Sequence, residues 1–464
     1  MLACFREGLK LVSGGGVCKN CRMRFCFTAL LTLAALTGLQ AASEWPQWRG
    51  PEGQGHATAM GLPVTWTAKS NVLWQVEIPG RGWSSPLIDG NLVWLTTAIE
   101  TTAKPESAKA RLQKNTGDQP LTVLDRVELR AIAIDRVTGK LARNHLLLAV
   151  KEPQWVHQLN SYASPTPVLE TGKLYAHFGA LGTVCLDTAA GKVLWTNTTL
   201  TIMHENGPGS SPVVWRNLVV FHMDGSDQQF IAALDKRTGK LVWKTPRSGA
   251  MAANPQQKKS YGTPLVVTIN GKEQLISPAS DWVYGYDDKG KELWKVAYGQ
   301  LGYSLVPRPV VGLGMMFMST GFGKKQVLGI QLDGLPAPAI QWRYARGVPT
   351  MPSPLLVRNE LYFVDDGGFL TCLEARSGEE VWRERLGGNF SSSPIFADGK
   401  IYLGSREGVV SVIAPGRKFT LLGRNEMPGS IMATPAAVGN TLYVRTDRAL
   451  WCLSGKPSGE RPLP

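Results

Sequence analysis

Cysteine is scarce in this 464-residue chain once its first 42 residues are set aside, which leaves Cys185, Cys372 and Cys452. Each stands directly before a Leu in matching surroundings, which reads as a small buried apolar residue rather than half of a disulfide. Cys18 and Cys21 form a CxxC, but Arg22 follows where haem attachment needs His, and no second pair supplies zinc ligands. The six His never form an HxxxH pair. P-loop, GxSxG, kinase and EF-hand spacings are missing, and so are nucleic-acid-binding motifs. No amphipathic helix of convincing length interrupts the chain, so the reading is all-β.

Long apolar runs are also missing, with one exception at residues 25–39. That run follows Met23 and Arg24 and leads into Ala41, Ala42 and Ser43. A basic start, a short apolar stretch and small residues make a secretory signal peptide, too short for a comfortable membrane span. Residues 1–43 are therefore read as leader and signal peptide, with Met23 as an alternative start. Cleavage near residues 41–43 would deliver the chain to the periplasm or outside the cell. No Cys stands at the expected cleavage point, so no lipid anchor is expected, and no transmembrane span is expected in the mature chain.

The formal charge is +14; residues 1–42 hold five Lys/Arg and one Glu, which leaves +10 for the remainder. The positive residues are scattered, which reads as a solvated surface rather than a nucleic-acid face.

What the sequence has in abundance is repetition. The phrases ALDKRTGKLVW (233–243), CLDTAAGKVLW (185–195) and CLEARSGEEVW (372–382) share one grammar. An apolar strand ends at an acidic residue that accepts hydrogen bonds from the following turn. Gly then supplies a positive φ, and a second strand ends in Trp. The phrase is a hairpin and belongs to the scaffold. A small or polar residue followed by Pro and an apolar strand recurs at Pro86, Pro167, Pro212, Pro264, Pro309, Pro354, Pro394 and Pro435. The intervals are mostly in the forties, and the long first one fits a polar insertion near 99–126, read as a surface loop.

Four short strands per unit at this period predict an eight-bladed β-propeller of four-stranded antiparallel blades over 71–455. Residues 44–70 form an N-terminal lead-in segment, and 456–464 a tail. The last unit lacks a Trp strand, and NVLWQVEI (71–78) supplies one from the other end. Pairing of N- and C-terminal strands would then close the ring and remove its edges.

The LDxxTGKxxW phrase, the SP strands and the period resemble the PQQ-like, quinoprotein-type propeller repeat over residues 71–453. WPQWRGPEGQG (45–55) and GRGWSSP (80–86) resemble exported PQQ-like, BamB-like proteins of planctomycetes and verrucomicrobia. The resemblance implies the fold. The vicinal Cys-Cys common in quinoprotein dehydrogenases and the CxxCH of their haem-bearing members are both missing, so the resemblance does not carry over their redox activity.

Alternation of strands places the B–C loops and the D-to-A connections on one face, where irregular segments gather and ligands bind. The richest set surrounds the third and fourth units. His157 and Asn160 precede the second unit, and His204, Glu205 and Asn206 precede the third. Asp224 and Asp227 sit in its B–C loop, and Arg247, Lys259 and Tyr261 lead to the fourth. This rim cluster is the candidate ligand-binding site; no catalytic or metal residue is assigned. Three functions stay open. The preferred one is an exported, monomeric, non-enzymatic propeller that binds a protein, envelope or polymer ligand and needs no cofactor. A PQQ- and calcium-dependent alcohol or sugar dehydrogenase is the second, and a polysaccharide-binding protein the third.

Overall fold

A computed structural model describes residues 44–67, 70–115, 117–334 and 337–455. The leader expected over 1–43 and the tail 456–464 lie outside these residues. Contacts divide the chain after Leu39, and everything below concerns the following unit, Gln40–Pro464.

Among the described residues, eight four-stranded antiparallel sheets follow one another as the blades of a propeller. Blade 1 holds Leu87–Asp89, Leu92–Thr102, Leu124–Asp135 and Leu141–Lys151, named A to D from the channel outwards. In all eight blades the A strand begins one residue after the recurring proline, from Pro86 to Pro435. Pro lacks an N–H and fixes φ, so it marks the point where the chain turns inward to start a strand. Blade 8 takes its A to C strands from Ala436–Val438, Thr441–Arg445 and Ala449–Ser454. Its D strand is Val72–Glu77 from the other end of the chain.

Inner strands are covered by a blade on each side, and Leu218–Asp224 is buried at every position. Outer strands face solvent and alternate: Val72–Glu77 and Glu292–Ala297 both do so. The core lies between sheets, where Tyr175 and Cys185 of blade 2 pack with Val219 and Phe221 of blade 3.

The repeated phrase is a clasp between blades. Trp195 donates from Nε1 to the carbonyl of Lys236 at 3.0 Å, in the C–D turn of the next blade. Trp243 reaches Asp288 at 3.1 Å, Trp342 reaches Ala375 at 3.0 Å and Trp382 reaches Gly416 at 2.9 Å. Gly239, Gly290 and Gly378 have positive φ (+69° at Gly239) and lie under the preceding blade's indole, so any Cβ there would meet the ring. In the turn itself, Asp235 Oδ1 accepts from the amides of Arg237 and Thr238 at 3.2 and 2.8 Å.

The small residue before each proline forms a second device. Ser85 donates its N–H to Thr166 Oγ1, Thr166 to Ser211 Oγ and Ser211 to Thr263 Oγ1, at 2.9, 2.9 and 3.0 Å. Arg308 donates to Ser353, Ser353 to Ser393 and Ser393 to Thr434, at 2.9, 2.9 and 3.1 Å. These bonds form a belt that ties blades 1 to 4 and blades 5 to 8 in two runs around the channel. Blade 5 breaks it, because Arg308 stands where the others have Ser or Thr.

The polar stretch near 99–126, expected to be a surface loop, is largely regular. Strands B and C of blade 1 run on to Thr102 and from Leu124, and a helix, Pro105–Leu112, bridges them. Leu121–Thr122 also pairs with Val156–His157. Apolar Ala103, Val123 and Trp155 form a small core beneath it. Polar composition hid this order because few apolar residues are needed to hold two exposed turns of helix.

Candidate functional site

The channel is occupied by the chain's own lead-in segment. Trp45 pairs with Ile88 in the A strand of blade 1, and the Leu169 amide of blade 2 donates to Pro46 O at 2.7 Å. Trp48 Nε1 reaches Thr434 of the belt at 3.2 Å. The segment reverses at Arg49, Gly50, Gly53 and Gly55, all with positive φ. It returns along blades 6 and 7, where His56 meets the Leu356 carbonyl at 2.7 Å and pairs with Phe396. It leaves over the A–B turns, with the Met60 amide on Gly439 O at 2.8 Å and the Leu62 amide on Asp398 at 3.0 Å. Beside it lies a cavity of about 600 Å³, lined by Gln47, Glu52, Gln54, Leu265, Arg308 and Asp333 among others.

Three fully buried arginines surround the segment and the belt. Arg308 holds the segment directly, with Nη1 on the carbonyls of Trp48 and Gly53, both at 3.2 Å, while Nε and Nη2 donate to Pro264 O. Arg49 donates from Nη2 to Pro354 O at 2.7 Å. Arg445 donates from Nη1 to Ser84 O, Ser84 Oγ and Thr96 O. Burial pulls each guanidinium down to about 9, and Arg308 adds to the effect on Arg49.

The residues expected on the rim do gather on one face, where D-to-A connections bridge to B-strand ends at Asp224 and Ser260, and at Tyr303 and Phe322. Ser226 donates to Glu205 Oε1 at 2.9 Å, so Glu205 and the Asp224 loop share that side. Most of the set is spent on internal contacts. Asp224 and Arg247 form a bidentate pair at 2.9 and 2.7 Å, with side chains 0 and 1% exposed. Arg247 also donates to Ser277 Oγ at 2.6 Å. Asp227 accepts from the Met203 amide at 2.8 Å, which straps the B–C loop to the preceding connection. His204 Nε2 accepts from the Ala180 amide at 2.7 Å, and Tyr261 OH donates to His204 O at 2.6 Å. Asn160 Nδ2 donates to the carbonyls of Asn206 and Pro208 at 2.8 and 3.0 Å. Lys259 is buried with Nζ on Gln256; burial brings it down to about 8, against the opposing charge of Glu205. His157 is half-buried, and burial and Lys259 lower its pKa.

Sequence reading missed the arginines and the residue ten past each proline. That position holds Thr96, His177, His222, Ser319, Val364, Gly404 and Arg445, with Ser277 three further on in blade 4. His222 Nε2 meets Ser277 Oγ at 2.8 Å, and His177 stacks on Phe221 at 3.9 Å. Aligning the blades on their prolines reveals chemistry that changes from blade to blade. For Arg308 the signal was its place in the hydroxyl series.

An eight-bladed ring clasped by Trp and Gly of successive phrases defines a PQQ-like β-propeller repeat protein. The family model described as "Outer membrane protein assembly factor BamB" matches residues 57–228 and 227–460, and the chain belongs to that family. The outer membrane protein assembly factor BamB of Legionella pneumophila (strain Paris) is 22% identical over 242 residues, covering 52% of this chain and 49% of its own. The chain thus spans about half the length of the curated relatives it matches. In fold it is similar to BamB from Moraxella catarrhalis, with a TM-score of 0.53, 12% identity and coverage of 83 and 99% of the two chains. A europium-containing methanol dehydrogenase has a TM-score of 0.50 at 12% identity, with coverage of 87 and 89%. Among the described residues no helix is long and apolar enough to cross a membrane.

Proposed function

We propose that this chain is an exported, monomeric, non-enzymatic propeller that binds a protein partner or an envelope polymer through the rim of B–C loops and D-to-A connections. Export to the periplasm or beyond follows the signal-peptide reading of residues 1–43. The observation that carries the binding reading is the exposed apolar and aromatic set on that rim. Phe322 is 55% exposed and rests edge-on against Tyr303 at 5.6 Å. Leu159 is 46% exposed above Trp83, whose Nε1 donates to the Leu159 carbonyl at 3.0 Å, and Arg81 lies over the Trp83 ring. Aromatic and Arg side chains of this kind anchor protein contacts. The family's description as an assembly factor agrees with a protein partner.

The quinone reading finds less support. Asp224 spends both oxygens on Arg247, Asp227 is tied to Met203, and the lead-in segment takes up the channel. That donor set does not suit a quinone with its calcium ion.

A photo-crosslinking residue placed at 322 or 159, and at Val137 on the opposite face as control, tests the proposal in envelope extracts. Adducts of one size from 322 and 159, absent from 137, are expected; adducts from 137 alone, or none, overturn it.

A further inference from the structure

Arg49, Arg308 and Arg445 are all fully buried without a carboxylate partner among the described residues, but Arg49 belongs to the lead-in segment and Arg308 donates to its carbonyls. Arg49 turns that segment, and Arg308 interrupts the hydroxyl belt. The charge that acts on Arg49 is that of Arg308, and no carboxylate counters either of them among the described residues. A guanidinium has five N–H donors. Arg49 uses Nη2 on Pro354 O, while its buried Nε and Nη1 have no partner. Arg308 spends its bonds on three backbone carbonyls and lines the cavity of about 600 Å³ beside the segment. Both remain charged at neutral pH, because about 9 still lies above it.

Two like charges in a low-dielectric interior repel strongly, and buried charges without a counter-charge are rare. We propose that Arg49 and Arg308 form a seat for a small monovalent anion of the halide class, which latches the segment 45–56 into the channel. The anion accepts from Arg49 Nε and Nη1 and from the remaining Nη2 proton of Arg308. Neither an acidic side chain nor a belt hydroxyl does this work, which distinguishes the pair from the bidentate Asp224–Arg247 contact. The seat stands independently of what the rim binds.

Hydrogen exchange of the Gly50, Gly53 and Gly55 amides tests it on the full chain, in sodium chloride and sodium gluconate at one ionic strength. Chloride is expected to slow exchange about 10-fold in a saturable way, with no such effect of gluconate. Equal exchange in both salts overturns the proposal. Arg308→Ser supplies the hydroxyl that the other seven blades carry, while removing one charge and its bonds to Trp48, Gly53 and Pro264. It is expected to abolish the chloride dependence; a purely structural role would loosen the segment equally in every salt and leave the dependence intact, which refutes the seat. Crystals grown in sodium bromide supply a readout that needs no variant. An anomalous peak between Arg49 and Arg308 is the expected result, and peaks confined to surface lysines count against it.

Discussion

Trp74 and Cys452 are Cα partners across the antiparallel pair that closes the ring. They repeat the relationship of Trp195 to Cys185 and of Trp382 to Cys372, which lie within single blades. Residues 378 positions apart therefore reproduce a contact that elsewhere spans ten. Burial pushes all three thiols up to about 12, so they are inert packing residues.

Closure rests on that strand. Trp74 donates from Nε1 to Arg136 O at 2.8 Å and sits against Gly139 of blade 1. Trp74→Ala is expected to cost ~2–3 kcal/mol, below the range for fully buried Trp because the ring is only partly buried. Urea titration against Trp74→Phe, which keeps the packing and loses the hydrogen bond, checks it.

Two glycines separate backbone strain from the clasp. Gly139 and Gly399 have φ of +68° and +69°, but a Cβ at Gly139 would lie 2.7 Å from Trp74 Cγ, whereas Gly399 has nothing within 4 Å. Gly399→Ala should cost about 1 kcal/mol from φ alone. Gly139→Ala should cost ~2–4 kcal/mol, because overpacking adds to it. Thermal denaturation of the two variants side by side gives the difference.

The Asp224–Arg247 pair makes a double-mutant test. Arg247→Met leaves a buried carboxylate unpaired and is expected to destabilise by about 3–5 kcal/mol. Asp224→Asn together with Arg247→Met should recover a large part of that loss, measured as coupling in chemical denaturation.

Acid stability follows from the buried histidines. Burial lowers His204 to about 4 and His177 to about 3, and lowers His222 with help from Arg247. The unfolded chain takes up these protons near pH 6.5, and the native chain does so only well below. Stability should therefore be flat above about pH 6.5 and fall as pH drops from there towards 4. His204→Gln, whose amide oxygen can still accept from Ala180, should flatten part of this slope in denaturation curves recorded from pH 4 to 8.

Much of this was readable along the chain because the blade is a local object. Each hairpin is built from an acid, a Gly and most often a Trp within eleven residues, and each A strand announces itself with a proline. The prolines count the blades, while the phrase is degenerate in blades 1 and 7, and the short last unit points to the strand at residues 71–78. The regular part of the polar insertion was hidden, since its small core of Ala103, Val123 and Trp155 draws on residues some fifty positions apart.

Composition and periodicity by themselves determined eight sheets, their antiparallel order and the face on which irregular segments collect. Only tertiary structure decided what those segments do. It turned Asp224, Arg247, His204 and Tyr261 into internal ties, and it threaded WPQWRGPEGQG through the channel. It also set Arg308 on the carbonyls of Trp48 and Gly53, around the turn at Arg49, from blocks of sequence over 250 residues apart. The physical reason is the range of the forces involved. Turn chemistry and strand alternation are set by neighbours in the chain, but a buried charge answers to whatever the closed ring brings near it.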